Sequence, residues 1–196
     1  MQLKLFKLLL GCTPAGRHTE QHDIFFGIGA ALKDLIPDIK KYWPEAKDKI
    51  HIDAWRQVTC VDGYSIQVEE KNTTVKANDL ARKENNLFFI NLGGYKENEF
   101  DEFHYKMLVV ADSVDAAKAK AKKTAFFKHV TLPSMENSPT ATSHIDDKYG
   151  VDVDDLYAIE DILPAYLKEK YTIKISLQDS CIADEYHLGY FKLVDL

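Results

Sequence analysis

Residues 4–11 read KLFKLLLG, and residues 86–93 read NLFFINLG. Both stretches carry Leu-Phe at their second and third positions and Leu-Gly at their end. A short apolar run that stops at a glycine is typical of a β-strand. The same pattern at two distant places predicts that one structural module occurs twice in this chain.

Two polar motifs support the repeat because they recur in the same order: Glu20-x-His22 with Glu102-x-His104, and His51-x-Asp53 with His144-x-Asp146. The alignment needs one insertion, which we assign to residues 131–143. That stretch is polar and contains two prolines, and a surface loop of this kind accepts insertions at little cost in free energy. We therefore predict a first module at residues 1–78. A second module with a C-terminal extension is predicted at residues 79–196.

Each module is predicted to fold as β-β-α-β-β. Residues 32–39 place leucine and isoleucine at helical spacing, and Ser113 is a suitable N-cap for the equivalent helix. Asp62-Gly63 signals a hairpin between strands predicted at Lys49–Val58 and Tyr64–Val68. The extension is predicted to add strands at Tyr171–Leu177 and Tyr186–Val194. Hairpins with one helix per module predict an α+β fold, with antiparallel or mixed sheets and helices on one face. We expect a pseudo-twofold axis to relate the two modules.

The composition narrows the class of protein. The chain has 196 residues, 45% hydrophobic and 29% charged, an ordinary globular balance. Its net charge of −6 argues against nucleic acid or an anionic membrane surface as a partner. No apolar stretch is long enough for a transmembrane helix. The chain has three cysteines, Cys12, Cys60 and Cys181, which are widely spaced. An odd, widely spaced set fits a reduced compartment better than a disulfide framework, so we expect a cytoplasmic protein.

Three phrases of the sequence resemble a bacterial family catalogued as Domain of Unknown Function 1543. They are LLLGCTPAGRHTEQHD at residues 8–23, KIHIDAW at residues 49–55 and VDGYSI at residues 61–66. Members of that family carry one or two copies of the domain, so the resemblance implies a two-copy member and a bacterial, cytosolic setting. It implies no activity, substrate or catalytic residue, because the family label carries none.

The strongest candidates for chemistry are Glu20, His22, His51 and Asp53. Residues two apart on a strand face the same side of a sheet, so each motif presents one imidazole and one carboxylate together. If the two strands are neighbours, all four groups converge. Such a set suits either a divalent transition metal or a general acid–base pair with its orienting carboxylate. The spacing matches no strict metal signature, so we take these residues as catalytic candidates and assign neither a metal ligand nor a cofactor.

A second set of candidates consists of Arg17, His18 and Asp23, which lie close together in sequence, and Trp55. A loop that carries arginine and histidine beside an aromatic ring can bind an anionic or planar ligand. We therefore predict these residues as a ligand-binding set.

Two functions remain open from the sequence. The first is a cytosolic module that binds a small molecule or a protein partner and performs no chemistry, as a monomer or a homodimer. The second is a small enzyme, hydrolase-like or lyase-like, that uses the candidate histidines and carboxylates. We favour the first because no complete catalytic pattern is present.

Overall fold

A computed structural model describes the following parts of the chain: residues 2–71, 85–95, 100–129, 152–178 and 180–196. The described part is a mixed α+β fold with antiparallel sheets and few helices, which confirms the predicted fold class. The chain divides into two compact units. The first unit combines Met1–Val75 with Glu160–Leu196, and the second is Lys76–Ile159.

The strands of the described residues, in chain order, are β1 (Lys4–Cys12), β2 (Gln21–Gly29), β3 (His51–Gln57), β4 (Cys60–Val61), β5 (Tyr64–Glu70), β6 (Asn86–Tyr95), β7 (Glu102–Ala111), β8 (Asp152–Ala158), β9 (Tyr171–Leu177) and β10 (His187–Lys192). The α-helices are α1 (Ile36–Tyr42), α2 (Val114–His129), α3 (Ile159–Ile162) and α4 (Ala165–Lys170). Short 3₁₀ segments occur at Leu32–Leu35, Pro44–Lys49 and Leu193–Asp195. Among these described elements, no helix has the length and apolar character that crossing a membrane requires.

The main sheet of the first unit has the strand order β10-β3-β1-β2, and every pairing is antiparallel. Every second side chain of β1 faces a core that also includes residues of α1. This burial explains why the apolar run at residues 4–11 forms an inner strand of the sheet. The buried core residues are Phe6, Leu8, Leu10, Cys12, Phe25, Leu35, Ile39, Ala46, Ile50, Ile52 and Leu193.

The predicted Asp62-Gly63 turn is confirmed, although its partners differ from the prediction. Asp62 and Gly63 adopt φ values of 53° and 80°, the left-handed conformation that a two-residue hairpin turn requires. The turn joins the short strand β4 to β5, and these two strands with β9 form a separate sheet of order β4-β5-β9. β3, which we expected in this hairpin, pairs with β1 and β10 instead.

The C-terminal extension belongs to the first unit, whereas residues 79–196 were predicted as one module. β9 and β10 form within one or two residues of their predicted bounds, but they pair with β5 and β3 of the first unit. β10 covers the edge of β3, whose N–H and C=O groups would otherwise lack strand partners. Sequence periodicity identifies a strand but does not identify the strand that it pairs with.

A disulfide corrects the expectation that the cysteines are reduced and unpaired. Cys60 and Cys181 are bonded across 121 residues of sequence, whereas Cys12 is free and buried. The bond depends on the return of the C-terminal segment to the first unit, which cysteine spacing alone does not reveal.

The second unit contains a sheet of order β7-β6-β8 and the helix α2. The predicted N-cap is confirmed, because Oγ of Ser113 accepts a hydrogen bond of 3.3 Å from the backbone N–H of Ala116. The insertion predicted at 131–143, and with it His144 and Asp146, lies outside the described residues.

Candidate functional site

The site of the first unit is built around Gly11, near the end of β1. In the strand register Gly11 lies opposite His22 of β2 on one side and His51 of β3 on the other. The strands that carry the two histidines are therefore not neighbours, although that was the condition set for convergence. They flank β1 on its two sides and lie about 10 Å from each other. Their side chains meet above Gly11 because it carries no side chain. A Cβ at that position would collide with the Asp53 carboxylate and lie 2.5 Å from Nε2 of His51.

A β-bulge positions Asp53. Leu10 pairs with Ile52 and Leu9 pairs with Ala54, so Asp53 is an extra residue of β3 without a register partner on β1. A bulge of this kind bends the strand and redirects the side chain of the extra residue. The Asp53 carboxylate thereby reaches the same face as His51 and His22.

In this first cluster, which consists of Glu20, His22, His51 and Asp53, each imidazole contacts both carboxylates. Nε2 of His51 lies 3.0 Å from Oε1 of Glu20 and 3.2 Å from Oδ1 of Asp53. Nε2 of His22 lies 3.6 Å from Oε2 of Glu20 and 3.2 Å from Oδ2 of Asp53. The structure thus brings together all four residues predicted as catalytic candidates, with each carboxylate directing one oxygen toward each imidazole. Their chemical role stays a prediction.

His51 is the buried member of the first cluster. Its side chain is 5% exposed, whereas those of His22 and Glu20 are about 40% exposed. The ring of Tyr190, on β10, lies 4.2 Å from the His51 ring, centroid to centroid. Nδ1 of His51 is 3.2 Å from the backbone carbonyl of Lys49. A carbonyl only accepts, so Nδ1 carries the hydrogen in this contact.

Two buried atoms of the first cluster make no hydrogen bond with any described residue: Nε2 of His51 and Oδ2 of Asp53. The oxygens of Glu20 and Asp53 are near enough to Nε2, but they lie outside the direction that its N–H would need. Buried polar atoms in proteins nearly always have a partner, so this geometry points to a function other than hydrogen bonding between the side chains.

The second unit carries a smaller second cluster, consisting of Glu102, His104 and Asp154. One ligand atom from each of these residues lies within 4.8 Å of the others. Nδ1 of His104 is 3.2 Å from Oδ2 of Asp154, and Gly93 takes the place of Gly11, since a Cβ there would collide with the Asp154 carboxylate.

The register of the second unit also corrects the predicted alignment of the motifs. A bulge between Asn91 and Leu92 makes Asp154 the extra residue, as Asp53 is in the first unit. The residue opposite Gly93 on β8 is Asp152, where the first unit has His51. The counterparts of His51 and Asp53 are therefore Asp152 and Asp154, and not His144 and Asp146.

The structure places two members of the predicted ligand-binding set, Asp23 and Trp55, away from the first cluster. Arg17 and His18 are exposed in the loop between β1 and β2. Asp23 accepts a hydrogen bond of 2.7 Å from the hydroxyl of Tyr42. Trp55 packs against the core and stacks on His187, on the opposite sheet face from Gly11, because the bulge at Asp53 reverses the alternation of β3.

Cys12 is excluded as a nucleophile by its surroundings. It is buried in the core, and burial raises the pKa of its thiol above the ordinary value, with the negative charge of Glu20 adding to the increase and Lys49 opposing it. Sγ lies 3.8 Å from the carbonyl of Ala46, to which the thiol donates. A protonated, buried thiol is unreactive.

Three contributors were not predicted: Gly11, the Lys49 carbonyl and Tyr190. The Leu-Gly pair that ends both quoted stretches signals the glycine, since a glycine in a strand marks a close approach of other groups. The sequence carries no corresponding signal for Lys49 or Tyr190, because both contacts arise from chain packing.

Comparison with known proteins gives a family match over part of the chain and a similar fold. A search of the curated proteins finds no match. The crystal structure of a protein Il1583 from Idiomarina loihiensis is similar over 97% of this chain and 98% of that chain, with a TM-score of 0.60 and 22% sequence identity, which shows the fold. Residues 17–68 match the family model described as Domain of Unknown Function (DUF1543). The match spans all four residues of the first cluster and supports the resemblance to that family.

Proposed function

We propose that the first unit is a ligand-binding module and that its site is the first cluster. The convergence of four polar side chains over Gly11 carries the proposal, because a structural role needs no such arrangement at a partly exposed position. Two imidazoles and two carboxylates form a compact site for a small ligand, while Arg17 and His18, exposed in the loop between β1 and β2, remain the predicted anion-binding groups.

A thermal-shift screen of the full chain tests this proposal. The probes are inorganic phosphate, small carboxylates, amines, nucleotides and divalent cations. We expect at least one probe to raise the melting temperature of the wild type and not that of His22→Ala, whose side chain is exposed enough to be removed without disturbing the core. His104→Ala is the matched control and keeps the response. A response unchanged by His22→Ala contradicts the proposal.

A second candidate function is acid–base catalysis by the same residues. The distance of 3.2 Å between Nε2 of His22 and Oδ2 of Asp53 favours it, because a carboxylate in that position can orient an imidazole that serves as a general base. Hydrolase and lyase reactions use such a pair. Turnover of an ester or a β-elimination substrate that His22→Ala abolishes would select this function over simple binding.

We also propose that the two units descend from one duplicated β-β-α-β-β module. Two features support the duplication: the first strand of each unit is central in its sheet, and each has a bulge opposite the same position of that strand. The second unit expressed alone provides the test. It is expected to fold, because α2 and its sheet enclose a separate core.

The cellular setting is a further proposal. The family resemblance supports a bacterial, cytosolic protein. The net charge of −6 disfavours nucleic acid or a membrane surface, so the proposed partner is a small molecule or a protein, bound by a monomer or homodimer. The bond between Cys60 and Cys181 favours an oxidising compartment instead, since disulfides are rare in the cytosol. Alkylation of thiols at the moment of cell lysis distinguishes the two: a cytosolic protein has Cys60 and Cys181 reduced.

A further inference from the structure

We infer that the first cluster binds one divalent transition-metal ion of the Zn²⁺ type, through Nε2 of His22 and of His51 and carboxylate oxygens of Glu20 and Asp53. The inference rests on the proposed function, for which it names the ligand. The spacing of these residues in sequence shows no metal signature, and only the folded geometry brings them together.

The hydrogen position on His51 is the first step. Nδ1 donates to the Lys49 carbonyl, so Nε2 is the ring nitrogen left for a metal ion. Histidines that bind metal ions commonly donate their other ring N–H to a backbone carbonyl in this way, which fixes the tautomer and the ring orientation. His51 is thus prepared as a ligand by a residue two positions away on its own chain.

The charge of the cluster is the second step. Two carboxylates lie within 3.2 Å of a buried nitrogen that forms no hydrogen bond with any described residue. Two carboxylates beside a buried nitrogen that is not hydrogen-bonded are unfavourable unless a positive charge lies among them. A divalent cation supplies that charge and balances the two carboxylates.

The donor set selects the class of cation. Nitrogen together with carboxylate oxygen suits Zn²⁺ and similar ions, whereas Ca²⁺ and Mg²⁺ prefer oxygen ligands alone. Each carboxylate places one oxygen 3.0 to 3.6 Å from each imidazole, so all four side chains border the same small space. Glu20 and His22 are exposed enough to turn toward an ion held there.

Isothermal titration of the untagged full chain with ZnCl₂ tests the inference, with CoCl₂ absorbance as a report on the ligands. No reductant is added, so that Cys60 and Cys181 stay bonded and offer no thiolate. We expect one ion per chain at the first cluster and an intense visible Co²⁺ spectrum of the tetrahedral kind. Excess Mg²⁺ or Ca²⁺ is expected to leave the titration unchanged.

Two variants assign the site. His22→Ala removes a partly exposed ligand, and Gly11→Ala inserts a methyl group into the space of the His51 and Asp53 side chains without removing any ligand. Both are expected to weaken Zn²⁺ binding by about tenfold or more. Gly93→Ala and His104→Ala are the matched controls in the second unit and should not change it. Circular dichroism confirms that each variant is folded.

The outcomes separate this inference from the proposed function. If neither Zn²⁺ nor Co²⁺ binds while another probe shifts the melting temperature in a His22-dependent way, the metal is wrong and the binding module stands. If Zn²⁺ binds equally to the wild type, His22→Ala and Gly11→Ala, or if His104→Ala alone abolishes binding, the assignment to the first cluster is overturned.

Discussion

The clusters at Gly11 and Gly93 use the same backbone device and yet differ in what they present. In both units a glycine of the central strand leaves space that an aspartate from a β-bulge enters, next to a histidine of the opposite strand. The first cluster adds a second imidazole, His51, where the second has Asp152 on the backbone register. The first cluster therefore has two imidazoles and the second has one.

Burial is the other difference between the clusters. β10 pairs with β3, and its Tyr190 packs against His51, whereas β8 of the second unit pairs only with β6 among the described strands. The side chains of Glu102, His104 and Asp154 are accordingly each more than 30% exposed. The C-terminal segment therefore partly encloses the first cluster, whereas the second cluster stays at the surface of its unit.

The largest expected effect comes from the covalent attachment of that segment. Cys181→Ser is predicted to lower the free energy of unfolding by about 2–4 kcal/mol, because the bond with Cys60 restricts a long loop in the unfolded chain. Urea denaturation followed by tryptophan fluorescence measures the change. Reduction of the wild type should reproduce it and should have no effect on the variant. A loss below about 1 kcal/mol would mean that the other contacts alone hold the segment.

The two glycines offer a matched pair of substitutions. Gly11→Ala is predicted to cost about 1–3 kcal/mol, because the methyl group displaces the buried His51. Gly93→Ala should cost less than about 1 kcal/mol, since the partly exposed Asp154 side chain can rotate into solvent. Chemical denaturation in the absence of added metal gives both values. Equal costs would show that burial of His51 does not distinguish the clusters.

A smaller effect is expected from the aromatic contact on His51. Tyr190→Ala should destabilise the first unit by about 0.5–1.5 kcal/mol through loss of the ring contact. Leu188→Ala, an exposed residue of the same strand, is the control and should change stability by no more than about 0.5 kcal/mol. Thermal and urea unfolding measure the stabilities of the two variants. Equal stabilities would show that the Tyr190 ring contributes nothing to the site.

The smallest effect concerns pH and a second attachment of the C-terminal segment. The hydroxyl of Tyr166 donates to the buried carboxylate of Asp38, and burial together with this hydrogen bond raises the pKa of Tyr166 to about 12. Its contribution to stability is complete below pH 10, the ordinary pKa of tyrosine, and falls between pH 10 and 12 as the unfolded chain ionises first.

The test is the unfolding free energy of the wild type and Tyr166→Phe from pH 8 to pH 12. The difference between the two should shrink as the pH rises through that window, while other tyrosines and lysines affect both proteins alike. A constant difference would show that Tyr166 does not titrate against Asp38.

Much of the local structure follows directly from the sequence. Residues 4–11 form the central strand as predicted, because their apolar side chains need burial and the strand is the extended form that buries them. Strand alternation predicts that Glu20-x-His22 and His51-x-Asp53 each direct their two side chains to one face, and the structure brings both pairs together over Gly11. The candidate residues of the first cluster could therefore be named in advance.

Their assembly could not be predicted in the same way. β2 and β3 are not neighbours, although neighbouring strands were the condition for convergence, and the register does not align His51-x-Asp53 with His144-x-Asp146. Both differences concern which strands pair and in which register, and a single bulged residue is enough to shift that register. The same bulge, at Asp53, moves the side chain of Trp55 to the core face, away from the first cluster.

The sequence by itself therefore determined the strands, the turn at Asp62-Gly63 and the polar pairs, all of which depend on residues close together in the chain. Only the tertiary structure decided that Gly11 lies between two histidines, that β10 buries His51, and that Cys60 meets Cys181. The physical reason is that backbone periodicity is a local property. Strand pairing and burial depend on long-range contacts whose free energy no short stretch of sequence contains.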